Sequence, residues 1–314
     1  MARPPLPAET ALAEEIFPGP DWASGTVEEG GQAHLVLVAR GEAVLRMART
    51  PEAAADLGRR SALVDALAPQ LPYRLPRTLA PPWHAEGRAA VVQEYVPGAA
   101  HPPHSLPHGG ARVLAALVRD LAAVDVEPLR PLLAEPFAFR GAWTAEKAAT
   151  VLAAVPEDLA ADAATVVEAV GAFADASGGW GPAVPPGAAG PVGPVGPAGL
   201  VHGDLAGHNM HWTEGRVAGI LDWDLAAAWD PALNAAYLGL WHGRDVLPEI
   251  ARDAGEAARA DVWIGAMGLD ALHDALRRTD HPKLGKLLRK VGPRIHAAAR
   301  AADAALDSVG AILR

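Results

Sequence analysis

The sequence predicts an α+β chain of two lobes, a small β-rich lobe followed by a larger helical one. Three observations carry this. The first hundred residues hold short apolar runs broken by Gly and Pro, with one helical stretch among them. From Ala111 onward the apolar spacing becomes helical. Inserted among the helical stretches are two short apolar runs that end in polar clusters, "LVHGDLAGHNMHW" (Leu200–Trp212) and "GILDWD" (Gly219–Asp224). Strands and helices segregate instead of alternating, which argues against a doubly wound sheet.

The elements follow in order. Ala33–Arg49 holds two apolar runs split by Arg40-Gly41-Glu42, a β-hairpin signal. Pro51–Ala68 opens on proline, is rich in Ala and Leu, and reads as the single helix of the small lobe. "YRLPRTLA" (Tyr73–Ala80) and "AAVVQEYV" (Ala89–Val96) read as two further strands around a polar turn near Glu86-Gly87. The Pro/Gly/His-rich stretch Pro97–Gly110 reads as a connector. Ala111–Val124, Thr144–Val155 and Asp158–Ala176 read as amphipathic helices. Ser177–Gly199 is collagen-like in composition only and reads as a surface loop, either a lid or an inert insertion. The two polar clusters lie on short strands joined through Glu214-Gly215. Helices run from there to the end, with Asp230 as N-cap and Pro231 as first helical residue.

Composition narrows the function. The chain has 314 residues, half of them apolar, enough for a large core in one or two domains. It has no cysteine, so disulfides, thiolate metal sites and cysteine nucleophiles are excluded. No signal pattern opens the sequence and no run is apolar enough to span a bilayer, so a cytoplasmic protein without membrane partners is expected. A net charge of −10 argues against nucleic-acid partners and is compatible with a cationic small substrate, although solubility is the simpler account of it.

The polar clusters carry the chemistry. Asn209 lies five residues after Asp204, and Asp222 eighteen after it. A turn after Gly203 and a returning hairpin bring the three together. Asn209 and Asp222 are oxygen ligands of the kind Mg2+ takes when substrate phosphates supply the rest. Asp204 is then free to accept a proton from an attacking hydroxyl. These roles make up the phosphoryl-transfer template. His202, after an apolar strand, reads as a packed scaffold histidine. Asp224 reads as a structural hydrogen-bonding residue or a third ligand. Trp223, Trp229 and Trp241 read as core.

"HGDLAGHN" followed by "ILDWD" resembles the catalytic and metal loops of the aminoglycoside phosphotransferase family, which has a protein-kinase-like fold. "AVLRMA" resembles the strand carrying the nucleotide-contacting basic residue, here Arg46, and "VVQEYVPG" resembles the interlobe hinge. The resemblance runs over roughly residues 22–240. It implies that Asp204 is catalytic, that Asn209 and Asp222 hold Mg2+, that Arg46 meets the nucleotide phosphates, and that the backbone of Glu94 and Val96 contacts adenine. It departs from the pattern in three places, one being that "EEGGQAH" (Glu28–His34) matches the phosphate-covering loop only loosely. Arg46 stands where protein kinases have Lys, and no helical Glu stands opposite it. Asp56 is the expected partner of Arg46, against the simpler outcome that Asp56 pairs with Arg60 one helical turn away.

The expectation is a nucleotide-binding lobe with hinge over residues 1–96 and a helical lobe over 97–314 with the catalytic and metal loops and the acceptor site. ATP or GTP is the phosphoryl donor. The acceptor is a small molecule, with an antibiotic (an aminoglycoside, a macrolide or a peptide antibiotic) as the first reading. A metabolite kinase acting on a sugar, an amino alcohol or a homoserine-like acceptor is the second, and a nucleotide-binding pseudoenzyme the third. Trp241, His242, Asp245, Glu249 and Asp253 are the candidate specificity residues, and the sequence is silent on oligomeric state.

Overall fold

A computed structural model describes residues 2–31, 33–85, 87–136, 143–176, 198–278 and 284–312. In chain order the strands are β1 (Ala2–Arg3), β2 (Thr26–Glu28), β3 (His34–Ala39), β4 (Ala43–Ala48), β5 (Trp83–Ala85), β6 (Arg88–Glu94), β7 (Gly199–Val201), β8 (Met210–Thr213), β9 (Arg216–Ile220) and β10 (Ala227–Trp229). The helices are α1 (Pro7–Ile16), α2 (Pro51–Leu67), α3 (Gly110–Ala122), α4 (Ala145–Ala154), α5 (Glu157–Ala176), α6 (Ala232–His242), α7 (Leu247–Ile250), α8 (Ala254–Arg277) and α9 (Leu284–Ile312). The architecture is α+β, with a β-rich N-terminal sheet and a helical C-terminal part.

The chain packs as two units. The first comprises Met1–His101, Pro128–Leu133 and His208–Asp224, and the second comprises Pro102–Glu127, Ala134–Gly207 and Leu225–Arg314. The boundary expected after residue 96 would leave the β8–β9 hairpin with the helical lobe. The hairpin packs with the first unit because its backbone groups find partners there. Arg74 N–H donates to Ala218 O and Ile220 N–H to Arg74 O, each at 3.0 Å, while Ala99 and Trp212 exchange bonds of 3.2 and 2.9 Å.

In the first unit a sheet runs β1-β2-β3-β4-β6-β5, with all neighbours antiparallel. Its side chains alternate as a strand requires. Leu45, Ala90 and Val92 face a core containing Trp22, Val27 and Leu37. Ala89 and Val91 face Ala54 and Leu57 of α2. Arg46 follows Leu45 and sits opposite Val91, so the same alternation turns it to the α2 side. The start of α2 follows from its sequence: Thr50 Oγ1 accepts from Ala53 N–H at 3.2 Å and Pro51 opens the first turn.

Two expectations for this region are corrected. The unit has a second helix, α1, which buries only Ala13 and so lacks a clear apolar stripe. "YRLPRTLA" is no regular strand: Pro72 and Pro76 lack N–H donors, and only isolated bridges form, Arg74 to Gly219 and Thr78 to Gln93. The strand beside β6 is β5 instead.

The second unit is helical apart from the short antiparallel pair β7–β10. Helix α8 packs along α9, and they approach closely where a Cβ on Gly265 would lie 2.4 Å from Ala298 Cβ. Asp230 is not the N-cap expected of it, since α6 begins at Ala232 with Pro231 in the capping position. Its carboxylate still accepts from Ala232 N–H at 3.1 Å, and it is buried together with Arg259 Nε at 3.2 Å and Trp263 Nε1 at 2.9 Å. That ion pair ties the start of α6 to α8. The expected loop Ser177–Gly199 lies outside the described residues but for its last two. No helix among the described residues is long and apolar enough to cross a membrane.

Candidate active site

In the first unit four charged or titratable side chains converge on the α2 side of the sheet. Asp224 Oδ2 accepts from Arg46 Nη2 at 3.0 Å and from Arg60 Nη1 at 2.7 Å. Arg46 Nη2 also lies 3.1 Å from His34 Nδ1. Burial opposes a charge on Asp224, yet the guanidiniums of Arg46 and Arg60 hold its carboxyl below the usual carboxylate range. His34 moves the other way: burial first, then the Arg46 charge, lower its pKa to about 4. Asp56, the partner expected for Arg46, pairs with Arg59 and Arg60 instead, each at 3.1 Å. The geometry of α2 explains this, because residues three and four apart share a face and Asp56 is satisfied within its own helix.

The β8–β9 hairpin brings Asn209 and Asp222 to one end. Met210 pairs with Ile220, so Asn209 immediately precedes one strand and Asp222 follows shortly after the other. Leu221 N–H closes the end by donating to Asn209 O at 2.8 Å. Glu214 and Gly215, with φ of 50° and 73°, make the tight turn at the opposite end. Asp222 also has a left-handed φ of 58°, which a residue with a Cβ adopts at a cost and which is concentrated at functional sites. Its Oδ1 lies 3.9 Å from Arg46 Nη2, and its side chain is about half exposed at 52%.

This donor set, one amide and one carboxylate, fits magnesium, which takes a few protein oxygens and draws the rest of its shell from water and phosphate. Among the described residues no group of three or more His, Cys, Asp or Glu side chains could hold a metal without such help. His101, His104 and His108 belong to no such group.

The segment after β6 is fixed at both of its expected contact residues. Glu94 N–H donates to Arg77 O at 2.8 Å, and its side chain pairs with Arg77. His211 Nδ1 lies 2.9 Å from Val96 O. Gly98 takes a φ of 112°, and a Cβ there would stand 2.8 Å from Trp212 O.

In the second unit Asp204 follows β7 on a closely supported turn. Asn234 is the strut: its Oδ1 accepts from His202 N–H at 3.0 Å, and its Nδ2 donates to Leu200 O at 2.8 Å. His202 is fully buried, and its Nδ1 accepts from Asp204 N–H at 3.3 Å, a scaffold role. Gly203 has a φ of 84°, and a Cβ on it would meet Leu225 O at 2.3 Å. Gly207 lies flat against Trp241, where a Cβ would come within 2.0 Å of the indole nitrogen. Trp223 and Trp229 are core residues, and Trp241 is half-buried.

Asp204 lines a cavity of about 330 Å³ in this unit. Tyr237 of α6, Asp270 of α8 and Lys290 and Arg294 of α9 share the lining with apolar side chains. Lys147 pairs with Asp270 at 2.5 Å. None of the five residues expected to set specificity lines this cavity. Asp253, for one, caps α8 by accepting from Glu256 N–H at 2.7 Å.

Residues 29–273 match the sequence model of the APH family, described as a phosphotransferase enzyme family. The chain belongs to that phosphotransferase family. It is 29% identical over 296 residues to viomycin phosphotransferase of Streptomyces vinaceus, covering 87% of this chain and 94% of that protein. The fold is protein-kinase-like, shared with solved phosphotransferases. Aminoglycoside 2'-phosphotransferase-IIIa in a GDP complex superposes with a TM-score of 0.67 at 16% identity, over 91% of this chain and 95% of that one. A macrolide 2'-phosphotransferase from Brachybacterium faecium superposes with a TM-score of 0.60 at 21% identity, over 95% and 98%.

For this phosphotransferase, the sequence offers Arg60 only as a partner of Asp56 and leaves His34, Lys290 and Arg294 without a signal of their own. Arg60 was visible as a basic residue where the family pattern leads one to look for an acid, and the alternation of β3 puts His34 on the face of Arg46. No spacing signal links α9 to Asp204.

Proposed function

We propose that this enzyme transfers the γ-phosphoryl group of a nucleoside triphosphate, ATP or GTP, to a hydroxyl of a small molecule. The observation that carries the reading is the hairpin end, where Asn209 and Asp222 stand together and Asp222 lies 3.9 Å from Arg46. Metal ligands beside a fixed guanidinium suit a triphosphate. Arg46 binds and orients the phosphates, the backbone of Glu94 and Val96 meets the base, and Asp204 takes the proton. A magnesium ion held by Asn209 and Asp222 supplies charge neutralisation at the phosphate oxygens when bound.

In the transfer, the acceptor oxygen bonds to the γ-phosphorus as the bond to the β,γ-bridging oxygen breaks. The electron pair leaves with the nucleoside diphosphate, and the hydroxyl proton goes to the Asp204 carboxylate. The His202 and Asn234 bonds hold the Asp204 backbone for this task. The likeness to viomycin phosphotransferase supports an antibiotic acceptor as the first reading.

The test incubates the purified chain with Mg2+ and ATP or GTP and a panel containing viomycin, an aminoglycoside and a macrolide, and follows a mass gain of one phosphate. Transfer to one of these that Asp204→Asn abolishes is the expected result. Nucleotide consumption and acceptor phosphorylation both absent across antibiotics and hydroxylated metabolites alike would overturn the reading.

A further inference from the structure

We infer that this chain selects adenine over guanine as the base of its phosphoryl donor, and that His211 sets the choice by occupying the carbonyl that guanine would need. The inference rests on the phosphotransfer reading for the presence of a nucleoside triphosphate, and all of its own observations lie in the first unit.

Glu94 and Val96 carry four backbone groups that a base could meet, and two of them are already taken. Glu94 N–H donates to Arg77 O at 2.8 Å. Val96 O lies 2.9 Å from His211 Nδ1, and since a carbonyl oxygen only accepts, that nitrogen carries the proton. The other two groups are open. Glu94 stands opposite Ala43 in the sheet but turns its backbone groups the other way, toward Arg77, so this is a pair without direct bonds. Among the described residues no donor meets Glu94 O and no acceptor meets Val96 N–H. Val96 is only 4% exposed, its side chain packed over Gly219, where a Cβ would lie 2.3 Å from Val96 Cγ1. An unpaired N–H on so buried a residue is costly, and a base that brings an acceptor removes the cost.

What is left is an acceptor at Glu94 and, two residues on, a donor at Val96. Pro97 keeps Val96 extended, and groups two residues apart in an extended chain share one edge. Adenine presents the matching pair, its N6 amino donor beside the N1 acceptor. Guanine presents the reverse, its O6 acceptor beside the N1–H donor. Guanine could still meet Val96 alone, with O6 on the N–H and N1–H on the carbonyl, but that carbonyl already holds His211. Guanine must then break the His211 bond or leave its own N1–H unpaired, and either loses binding. The device is a block against the wrong base and adds no contact to the right one. The neighbouring backbone admits His211 closely: Gly98 has a φ of 112°, and a Cβ there would stand 3.1 Å from His211 Cβ.

The test titrates ATP, GTP and ITP, each with Mg2+, into the full chain by calorimetry. ITP has the O6 and N1–H of guanine without its 2-amino group, so it reads the hydrogen-bonding edge apart from bulk. ATP is expected to bind at least about tenfold more tightly than either. In His211→Leu, which removes the donor from Val96 O, that ratio should shrink by about fivefold or more through tighter binding of GTP and ITP. In His211→Asn, whose amide keeps a donor near the Nδ1 position, most of the preference should survive, with circular dichroism confirming that both variants fold. Equal affinities in the unaltered chain, or a preference over GTP that vanishes with ITP, would overturn the inference whether or not the variants fold. So would a ratio that His211→Leu leaves intact while all three nucleotides weaken alike, which is what a merely structural histidine would give. Transfer assays keep the two readings apart. Asp204-dependent transfer that runs equally well from limiting ATP and limiting GTP counts against this inference alone, and a His211-dependent adenine preference with no transfer to any acceptor counts against the phosphotransfer reading alone. Binding of no nucleotide overturns both.

Discussion

Arg60 Nη1 donates to Asp224 Oδ2 at 2.7 Å, a shorter bond than the 3.0 Å that the same oxygen accepts from Arg46. The carboxylate that orients Arg46 thus comes from the segment just after Asp222, and α2 contributes a second cation where an acid would stand in the family pattern. Asp224→Ala should therefore weaken nucleotide binding by roughly tenfold, and its effect should be far from additive with Arg46→Ala, since residues sharing one charged network couple by about 0.5–3 kcal/mol. Asp56→Ala, which reaches Arg46 only through Arg60 and Asp224, should couple to Arg46→Ala more weakly than Asp224→Ala does. Nucleotide titrations of the single and double variants check both cycles.

Asp204→Asn should lower turnover by about a hundredfold to ten-thousandfold, the range for a general base in position. Nucleotide affinity should stay close to that of the unaltered chain. Single-turnover phosphate transfer beside equilibrium nucleotide titration separates the two quantities.

Asp222→Asn should weaken nucleotide binding in the presence of Mg2+ and leave metal-free binding nearly unchanged, because it removes the one charged oxygen of the donor pair. Calorimetric titration with and without the metal gives the comparison.

Gly203→Ala should destabilise the fold by about 1–3 kcal/mol or more, since the new side chain would have to adopt a left-handed backbone while colliding with a carbonyl. The colliding atom, Leu225 O at 2.3 Å, is backbone and does not swing aside. Thermal unfolding measures the loss. Gly41→Ala is a useful comparison, with a similar φ of 84° and no atom within 4 Å of its Cβ.

His34 is held neutral, its pKa lowered to about 4 from the usual 6.5. Below pH 6.5 the unfolded chain binds a proton that the folded chain refuses, so this contribution to stability is fully present above pH 6.5 and is lost as pH falls toward 4. Melting temperatures across that window should fall less steeply for His34→Asn than for the unaltered chain.

What the sequence could and could not yield depends on how local each signal is. Leu45-Arg46, Glu214-Gly215 and the Thr50-Pro51 cap act over a few residues, and the hairpins and α2 follow from them. Asn209 and Asp222 were legible for the same reason, since a single hairpin register sets both. The partner of Arg46 was not, because it depends on a contact 178 residues distant that competes with a satisfied pair inside α2. The lining of the cavity was invisible as well: Asp204, Asp270 and Arg294 come from three separate elements, and only their packing shows that they share one space. Short α1 failed on a different ground, having too little buried surface to leave a periodic trace.

The threading of the first unit decides how the gene can be dissected. Residues 208–224 belong to that unit although more than a hundred residues separate them from His101. A stop codon after His101 would therefore not release this unit as a working piece. It would strip Arg74 and Ala99 of backbone partners and leave Arg46 without Asp224. A self-sufficient fragment has to be assembled by grafting both the 128–133 segment and the 208–224 ribbon onto the end of the first segment through designed linkers, and libraries built by simple truncation will miss it.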